Sequence, residues 1–284
     1  MAQQLPRGQG LEAIVSHALH SFALIPNVKK ATWYSPAAQA YVNGRPGYES
    51  LMEEVCELAG LTQHSKILEV GCGPGTATVS IAPRVGEMLC VDLNVDFVEI
   101  AKEKTREYKN VSFEILPFEE FDGKEQKFDA IIAASSIHWV PSDVAYPKIR
   151  SLLKADGHLI LLYNHLLQPS AHDIQALSPI YQKYAPDLDA KEWKSPEQHS
   201  NDFVSNFGDT LEAQNFQIVK YNFTVMNVVY TAHQFTQGLH SYSHYLKLEE
   251  DVRNALFVAL RHYIDEVLGG SIALTYVSAY HVAK

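Results

Sequence analysis

The chain has 284 residues, of which 46% are hydrophobic, so it can bury a sizeable core and is not wholly disordered. Its formal net charge is −10 at pH 7, whereas a protein that binds nucleic acid usually presents a basic face. No apolar run approaches the roughly 20 residues that cross a membrane, and the first residues lack the pattern of a signal peptide. The three cysteines show neither zinc nor disulfide spacing. We therefore expect a cytoplasmic protein that binds neither nucleic acid nor membrane.

The first predicted elements are two helices, because apolar residues recur at helical spacing in residues 11–24 and 48–60. From Lys66 onward strands alternate with helices, and the predicted helices begin near residues 75 and 95. The predicted strands are residues 66–70, 87–93, 111–116, 128–137 and 157–164. Strands that alternate with helices predict an α/β fold with a parallel sheet covered on both faces.

The alternation stops after the fifth predicted strand. Residues 165–210 contain no clear strand pattern, and α/β folds often place substrate-binding cover in such an insertion. A strand, a helix and a last strand are predicted after it, at residues 215–226, 251–268 and 272–283. We expect a single domain over residues 1–284 with four parts: an N-terminal helical cover (1–60), a cofactor-binding core (61–164), a lid insertion (165–212) and C-terminal strands with a helix (213–284).

The most informative stretch is "KILEVGCGPGTATVSIA", from Lys66 to Ala82. It places three glycines after the first predicted strand, at the edge of a parallel sheet where ligands bind. Glycine allows a sharp turn and a close approach of the backbone to a ligand. Asp92 ends the next strand, about 20 residues later, where an acid can accept both ribose hydroxyls. These features predict a cofactor that contains adenosine.

Three details favour S-adenosylmethionine over a dinucleotide. Thr76 stands where the dinucleotide fingerprint requires Gly or Ala. Glu69 places negative charge where a dinucleotide needs to bind its pyrophosphate, and that charge would instead attract a cationic group. Pro74 removes one backbone donor from the loop. The predicted ligand therefore has a ribose at one end and a positive charge at the other.

The chain resembles the class I S-adenosylmethionine-dependent methyltransferases in three successive motifs, "ILEVGCGPGTATVSIA", "CVDLNVDFVEIAKEK" and "FDAIIAASSIHWV". The segment "AQAYVNGRPGYESLMEEVCELAG" further resembles the lead-in of a small-molecule subgroup that includes trans-aconitate methyltransferase and its fungal relatives. The resemblance implies a Rossmann-like sheet of seven strands whose last strand is antiparallel. It also implies methyl transfer to a small-molecule acceptor, which is a carboxylate, a hydroxyl or an amine.

The same resemblance implies a cofactor site built from the lead-in and from the ends of the first four strands. Arg45 would pair with the methionine carboxylate, Asp92 would bind the ribose hydroxyls, and Leu93 would pack on the adenine. The complete expected set is Tyr41, Arg45, Glu69, Gly71, Gly73, Asp92, Leu93, Phe118, Glu119 and Ser135.

The expected acceptor site lies at the ends of the fourth and fifth strands. His138 and His165 are candidates for a general base, although an aromatic residue at a strand end often serves only in packing. Candidate acceptor contacts are Trp33, Tyr34, Trp139 and Tyr163. His240 and His244 have helical spacing but lack a third ligand of matching phase, so no metal is expected.

Two other functions remain open at this level. One is an NAD(P)-dependent oxidoreductase on a related Rossmann fold, and the other is a non-catalytic protein that binds S-adenosylmethionine. The residues do not identify the acceptor, and they do not indicate an oligomeric state.

Overall fold

The structure is a computed structural model that describes residues 26–33, 35, 38–188 and 196–284. In these residues seven strands form one sheet in the order β3-β2-β1-β4-β5-β7-β6. The strands are β1 (Lys66–Val70), β2 (Glu87–Asp92), β3 (Val111–Ile115), β4 (Phe128–Ala134), β5 (Leu153–Pro169), β6 (Ile218–Thr231) and β7 (Ser271–Ala283). Strand β7 pairs antiparallel with both β5 and β6, whereas the other neighbouring pairs are parallel. The predicted Rossmann-like sheet with an antiparallel last strand is therefore confirmed.

The helices in the described residues surround this sheet. They are α1 (Asn27–Trp33), α2 (Ala38–Gly44), α3 (Glu49–Leu58), α4 (Thr78–Ile81), α5 (Val95–Lys104), α6 (Ser142–Leu152), α7 (Ala171–Tyr184), α8 (Pro196–Ala213), α9 (Ala232–His240), α10 (Ser243–Leu246) and α11 (Glu250–Glu266). None of these helices has both the length and the apolar character that a membrane crossing requires. The helix expected over residues 11–24 lies outside the described residues.

Two hydrophobic clusters cover the two faces of the sheet. Leu68 belongs to one cluster and its neighbour Ile67 to the other, because successive side chains of a strand point to opposite faces. The central strands are buried on both faces, which explains why β1 and β2 are nearly continuous apolar runs. Glu69 interrupts that run with a fully buried carboxyl group.

A third cluster lies where β5, β6 and β7 continue beyond the shorter strands. Leu167 of β5 and Leu274 of β7 pack there with residues of α7, α9 and α11. The sequence pattern predicted that the fifth strand would end at residue 164, and this boundary was wrong. Strand β5 continues to Pro169 because β7 pairs with it through Gln168 and Pro169. Helix α9 was not predicted either.

Candidate functional site

A cavity of about 380 Å³ lies at the carboxyl ends of β1, β2, β4 and β5. Its volume falls within the range of about 300–1,000 Å³ that is usual for small-molecule sites. Ligands of open α/β sheets bind at this edge, because the loops that follow parallel strands converge there. The N-terminal helices and the segment Tyr242–His244 also contribute lining residues.

The glycine loop after β1 forms one wall of the cavity. Gly71 and Gly73 have φ angles of +67° and +53°, which side-chain-bearing residues rarely adopt. The carbonyl of Val91 accepts hydrogen bonds from the backbone N–H groups of Gly71, at 2.7 Å, and Cys72, at 3.2 Å. A Cβ atom at Gly71 would lie 2.6 Å from Cβ of Ser136, so only glycine fits there. Backbone geometry favours glycine at both positions, and packing against Ser136 requires it at Gly71.

Asp92 ties the glycine loop to the end of β2. Its carboxylate accepts hydrogen bonds from the backbone N–H of Gly73, at 2.8 Å, and of Asn94, at 2.8 Å. Burial raises the pKa of Asp92, while these N–H groups act in the opposite direction. A carboxylate offers about four acceptor positions, so two hydrogen bonds leave capacity for a ligand. Asp92 lines the cavity and can accept further hydrogen bonds there.

Glu69 lies behind the glycine loop and does not line the cavity. Its Oε2 atom accepts a hydrogen bond from the Thr78 hydroxyl at 2.6 Å and is 3.6 Å from Sγ of Cys90. Its Oε1 atom has no hydrogen-bond partner among the described residues. Burial raises the pKa of Glu69 to about 7. A negative charge at this position would act on a ligand through the loop and not by direct contact.

The lead-in segment covers the cavity from the N-terminal side. Arg45 Nε donates to the Ser241 hydroxyl at 2.7 Å, and its guanidinium lies 3.7 Å from the ring centroid of Tyr242. The side-chain amide of Asn164 donates to the carbonyls of Pro46, at 2.9 Å, and Gly47, at 2.8 Å. The segment is thus fixed both to the end of β5 and to the residues that follow α9.

A second set of contacts closes the side of the cavity near Phe118 and Glu119. Lys148 Nζ donates to the carbonyls of Phe118, at 3.0 Å, and Glu119, at 2.7 Å. Lys30 Nζ donates to the carbonyl of Trp139 at 2.6 Å and lies 3.8 Å from the Glu119 carboxylate. Helix α1 therefore joins the segments that follow β3 and β4.

The segment after β4, the strand β5 and the helix α8 supply the aromatic part of the cavity. The ring of Tyr163 lies 4.2 Å from the ring of Phe207, measured between centroids. The His138 and Trp139 rings are 5.9 Å apart. Burial lowers the pKa of His138 to about 4, so its imidazole is neutral at pH 7. A neutral imidazole is able to accept a proton.

Most residues of the expected site come together in this cavity. The lining includes Tyr41, Arg45, Gly71, Gly73, Asp92, Leu93, Phe118, Glu119, Ser135, His138, Trp139, Tyr163 and His165. Glu69 lies behind the loop, and Tyr34 and the side chain of Trp33 lie outside what the structure describes. Within the described part of the chain, no group of three or more His, Cys, Asp or Glu residues could hold a metal ion.

Sequence reasoning missed several lining residues, among them Tyr48, Asn94, Phe207, Tyr242 and Ser243. Tyr48 lies within the lead-in segment quoted above, and its hydroxyl is 3.0 Å from that of Ser135. Asn94 lies two residues after Asp92 and accepts a hydrogen bond from the Phe97 N–H as the N-cap of α5, a signal that could have been read. Phe207 and Tyr242 belong to no motif and reach the cavity only through folding.

A family model described as "Methyltransferase domain" matches residues 61–227, which is more than half of the chain. Among curated proteins, CRG1 of Saccharomyces cerevisiae is described as an S-adenosylmethionine-dependent methyltransferase. It is 29% identical over 149 residues, or 51% of this chain and 50% of that protein. The methyltransferase C25B8.09 of Schizosaccharomyces pombe is 27% identical over 126 residues, or 44% of this chain and 49% of that protein. The chain spans about half the length of these relatives.

Solved structures show the same fold. A protein of Anaeromyxobacter dehalogenans described as a type II methyltransferase superposes with a TM-score of 0.59 at 18% identity, over 84% of this chain and 97% of that one. A protein of Anabaena variabilis, described as a methyltransferase from an antibiotic biosynthesis pathway, gives a TM-score of 0.53 at 13% identity, over 84% and 99%.

Gly71→Ala is expected to destabilise the protein more than Gly60→Ala does. Both positions have positive φ angles, +67° and +61°, so both variants bear a conformational cost of about 1–2 kcal/mol. Only at Gly71 does the new Cβ meet another atom within 4 Å. That overlap should add about 1–3 kcal/mol. Urea unfolding measures both variants, and equal losses would contradict the close packing of the loop on Ser136.

Glu69 should make stability depend on pH. Its pKa is raised from 4.5 to about 7 in the folded protein, so the folded state retains a proton that the unfolded chain releases. The free energy of unfolding should therefore fall by up to about 3 kcal/mol as pH rises from about 4.5 to about 7. The side chain in Glu69→Gln cannot ionise, so the free energy of unfolding of this variant should not show this fall with rising pH.

Urea unfolding at about pH 5 and pH 8, without added ligand, gives the free energy of unfolding of the unmodified protein and of Glu69→Gln. Glu57→Gln, at an exposed position of α3, is the control and should behave like the unmodified protein. The same pH dependence in Glu69→Gln as in the unmodified protein would show that Glu69 keeps an ordinary pKa.

Proposed function

The chain belongs to the methyltransferase domain family, within the class I S-adenosylmethionine-dependent methyltransferases, and on that premise we propose that it methylates a small molecule. The observation that carries the proposal is the hydrogen bond between the Gly73 N–H and the Asp92 carboxylate inside the cavity. It joins the glycine loop to an acid at the neighbouring strand end, an arrangement suited to the ribose and the charged end of this cofactor.

The residues around the cavity fit S-adenosylmethionine. Asp92 would bind the ribose hydroxyls, with Leu93, Phe118 and Glu119 around the adenine. Gly71 and Gly73 allow the backbone to approach the methionine part, and Tyr41 and Arg45 would meet its carboxylate. The unpartnered Oε1 of Glu69, behind the loop, suits a ligand that brings positive charge. Ser135 follows β4 directly and would lie near the reacting centre.

When bound, the cofactor supplies a methyl group that its sulfonium charge already activates for in-line displacement. The protein's task is then to hold an acceptor about 3–3.5 Å from the methyl carbon and to exclude water. Trp139 and Tyr163 would hold the acceptor. His138 would take the proton of a hydroxyl or amine acceptor, since its imidazole is neutral. His165 lines the same end of the cavity and is the second candidate for that role.

Asp92→Ala is expected to weaken binding of S-adenosylhomocysteine by at least about 100-fold. The expected loss is that of two hydrogen bonds to a charged carboxylate, worth about 1.5–3 kcal/mol each. Isothermal titration calorimetry measures the affinity, and circular dichroism checks that the variant is folded. Asp96→Ala, at an exposed position in the first turn of α5, is the matched control and should bind normally. Normal affinity in Asp92→Ala would overturn the assignment of the cofactor site.

His138→Ala is expected to keep its affinity for the cofactor and to lose about 10²-fold or more in turnover, the usual contribution of a general base. Because burial lowers the pKa of His138 to about 4, the unmodified enzyme should lose kcat/KM only as pH falls toward about 4. A screen of pooled metabolites with methyl-labelled cofactor provides the acceptor for this assay. His172→Ala, at an exposed position of α7, is the control. Undiminished turnover in His138→Ala would remove His138 from the mechanism.

A further inference from the structure

The charged side chains that line the cavity are concentrated in its cofactor part. They are Lys30, Arg45, Asp92 and Glu119. Asp92 accepts backbone hydrogen bonds from the glycine loop, and Glu119 lies 3.8 Å from Lys30 Nζ. Arg45 binds both the hydroxyl and the carbonyl of Ser241 and packs on the ring of Tyr242. Lys30 and Glu119 therefore face each other, whereas Arg45 and Asp92 keep the capacity to bind the cofactor that the proposed function assigns to them.

A second group of lining residues has a different chemistry. We call it the aromatic wall and define it as His138, Trp139, Tyr163, Phe207 and Tyr242. The wall brings together the ends of β4 and β5, helix α8 and the segment after α9. None of its residues is a carboxylate, a lysine or an arginine, and the His138 imidazole is neutral at pH 7. The wall therefore carries no formal charge at neutral pH.

The geometry of the wall favours a flat ligand. Tyr163 and Phe207 are in ring contact, with 4.2 Å between centroids and 37° between planes. The ring of Tyr242 stacks on that of His244 at 5.6 Å and 24°. Offset or tilted contacts between aromatic rings are favourable beyond the burial of area alone. A planar ring entering this part of the cavity would meet aromatic side chains contributed by four separate segments of the chain.

The electrostatics disfavour a charged ligand at the wall. An anion placed there would lose its hydration without gaining an uncommitted cation, because Arg45 is assigned to the carboxylate of the cofactor and Lys30 lies 3.8 Å from the Glu119 carboxylate. A cation would find aromatic faces, but the Arg45 guanidinium already lies 3.7 Å from the centroid of Tyr242 and would repel it. An uncharged molecule avoids both the loss of ionic hydration and the repulsion by Arg45.

We infer that the aromatic wall binds an uncharged aromatic methyl acceptor. The inference rests on the proposed function, because it assigns the charged part of the cavity to the cofactor. It narrows the acceptor classes that the sequence left open, since it excludes a carboxylate and an alkylammonium group.

A matched series of naphthalene ligands tests the inference by binding alone. At pH 7 the ligand 2-naphthol is neutral, 2-naphthoate is an anion and 2-naphthylmethylammonium is a cation, while the ring is the same in all three. Isothermal titration calorimetry is performed on the full chain, with and without saturating S-adenosylhomocysteine. We expect 2-naphthol to bind at least tenfold more tightly than either charged ligand.

Two variants locate the binding. Phe207→Leu keeps apolar volume but removes one aromatic face, so it should weaken 2-naphthol binding by about 3- to 10-fold. It should leave S-adenosylhomocysteine affinity unchanged, which also shows that the variant is folded. Tyr221→Leu, an exposed aromatic position outside the cavity, is the control and should bind 2-naphthol normally.

The possible failures can be told apart. If either charged ligand binds as tightly as 2-naphthol, or if none of the three binds saturably, the inference is overturned. Equal weakening by Phe207→Leu and Tyr221→Leu would also overturn it, because binding would not depend on the wall. If S-adenosylhomocysteine does not bind, the proposed function is overturned. The titrations of the three naphthalene ligands on the protein without S-adenosylhomocysteine still decide which ligand charge the wall accepts.

Discussion

The hydrogen bond from the Gly73 N–H to the Asp92 carboxylate is the contact on which the site depends. It holds the turn after β1 against the end of β2 while leaving carboxylate lone pairs directed at the cavity. A side chain at Gly71 would force this turn away from Ser136. The Glu69 carboxyl group behind the loop is buried, and burial raises its pKa to about 7. Loop geometry and electrostatics are thus parts of one arrangement.

Long-range contacts complete the cavity around that arrangement. Arg45 from the N-terminal segment binds Ser241 near the other end of the chain, and Lys30 binds the carbonyl of Trp139. Asn164 within β5 holds the Pro46-Gly47 turn. Each contact joins a covering element to a strand end or to another covering element. The cover is therefore stabilised by specific hydrogen bonds between distant segments, and aromatic rings line the part of the cavity that we propose binds the acceptor.

An element could be predicted from the sequence when the interactions that form it leave a pattern within a short segment. Strand β1 was predicted with its bounds, Lys66–Val70, because a strand buried on both faces is recognisable as a short apolar run. The end of β5 was predicted too early, since the residues up to Pro169 are strand only because β7 pairs with them. Helix α9 was missed although Thr231 and Gln234 form a capping box at its start. That signal was present in the sequence and was not used.

The sequence by itself determined the α/β class, the glycine loop and the acids beside it, because these depend on residue spacing within short segments and on the chemistry of single side chains. Only the tertiary structure decided that Glu69 lies behind the loop, that Arg45 is held by Ser241, and that Phe207 and Tyr242 complete the aromatic wall. The physical reason is that burial and long-range contacts arise when distant segments pack together. No periodicity along the chain encodes which of its aromatic residues will face the same cavity.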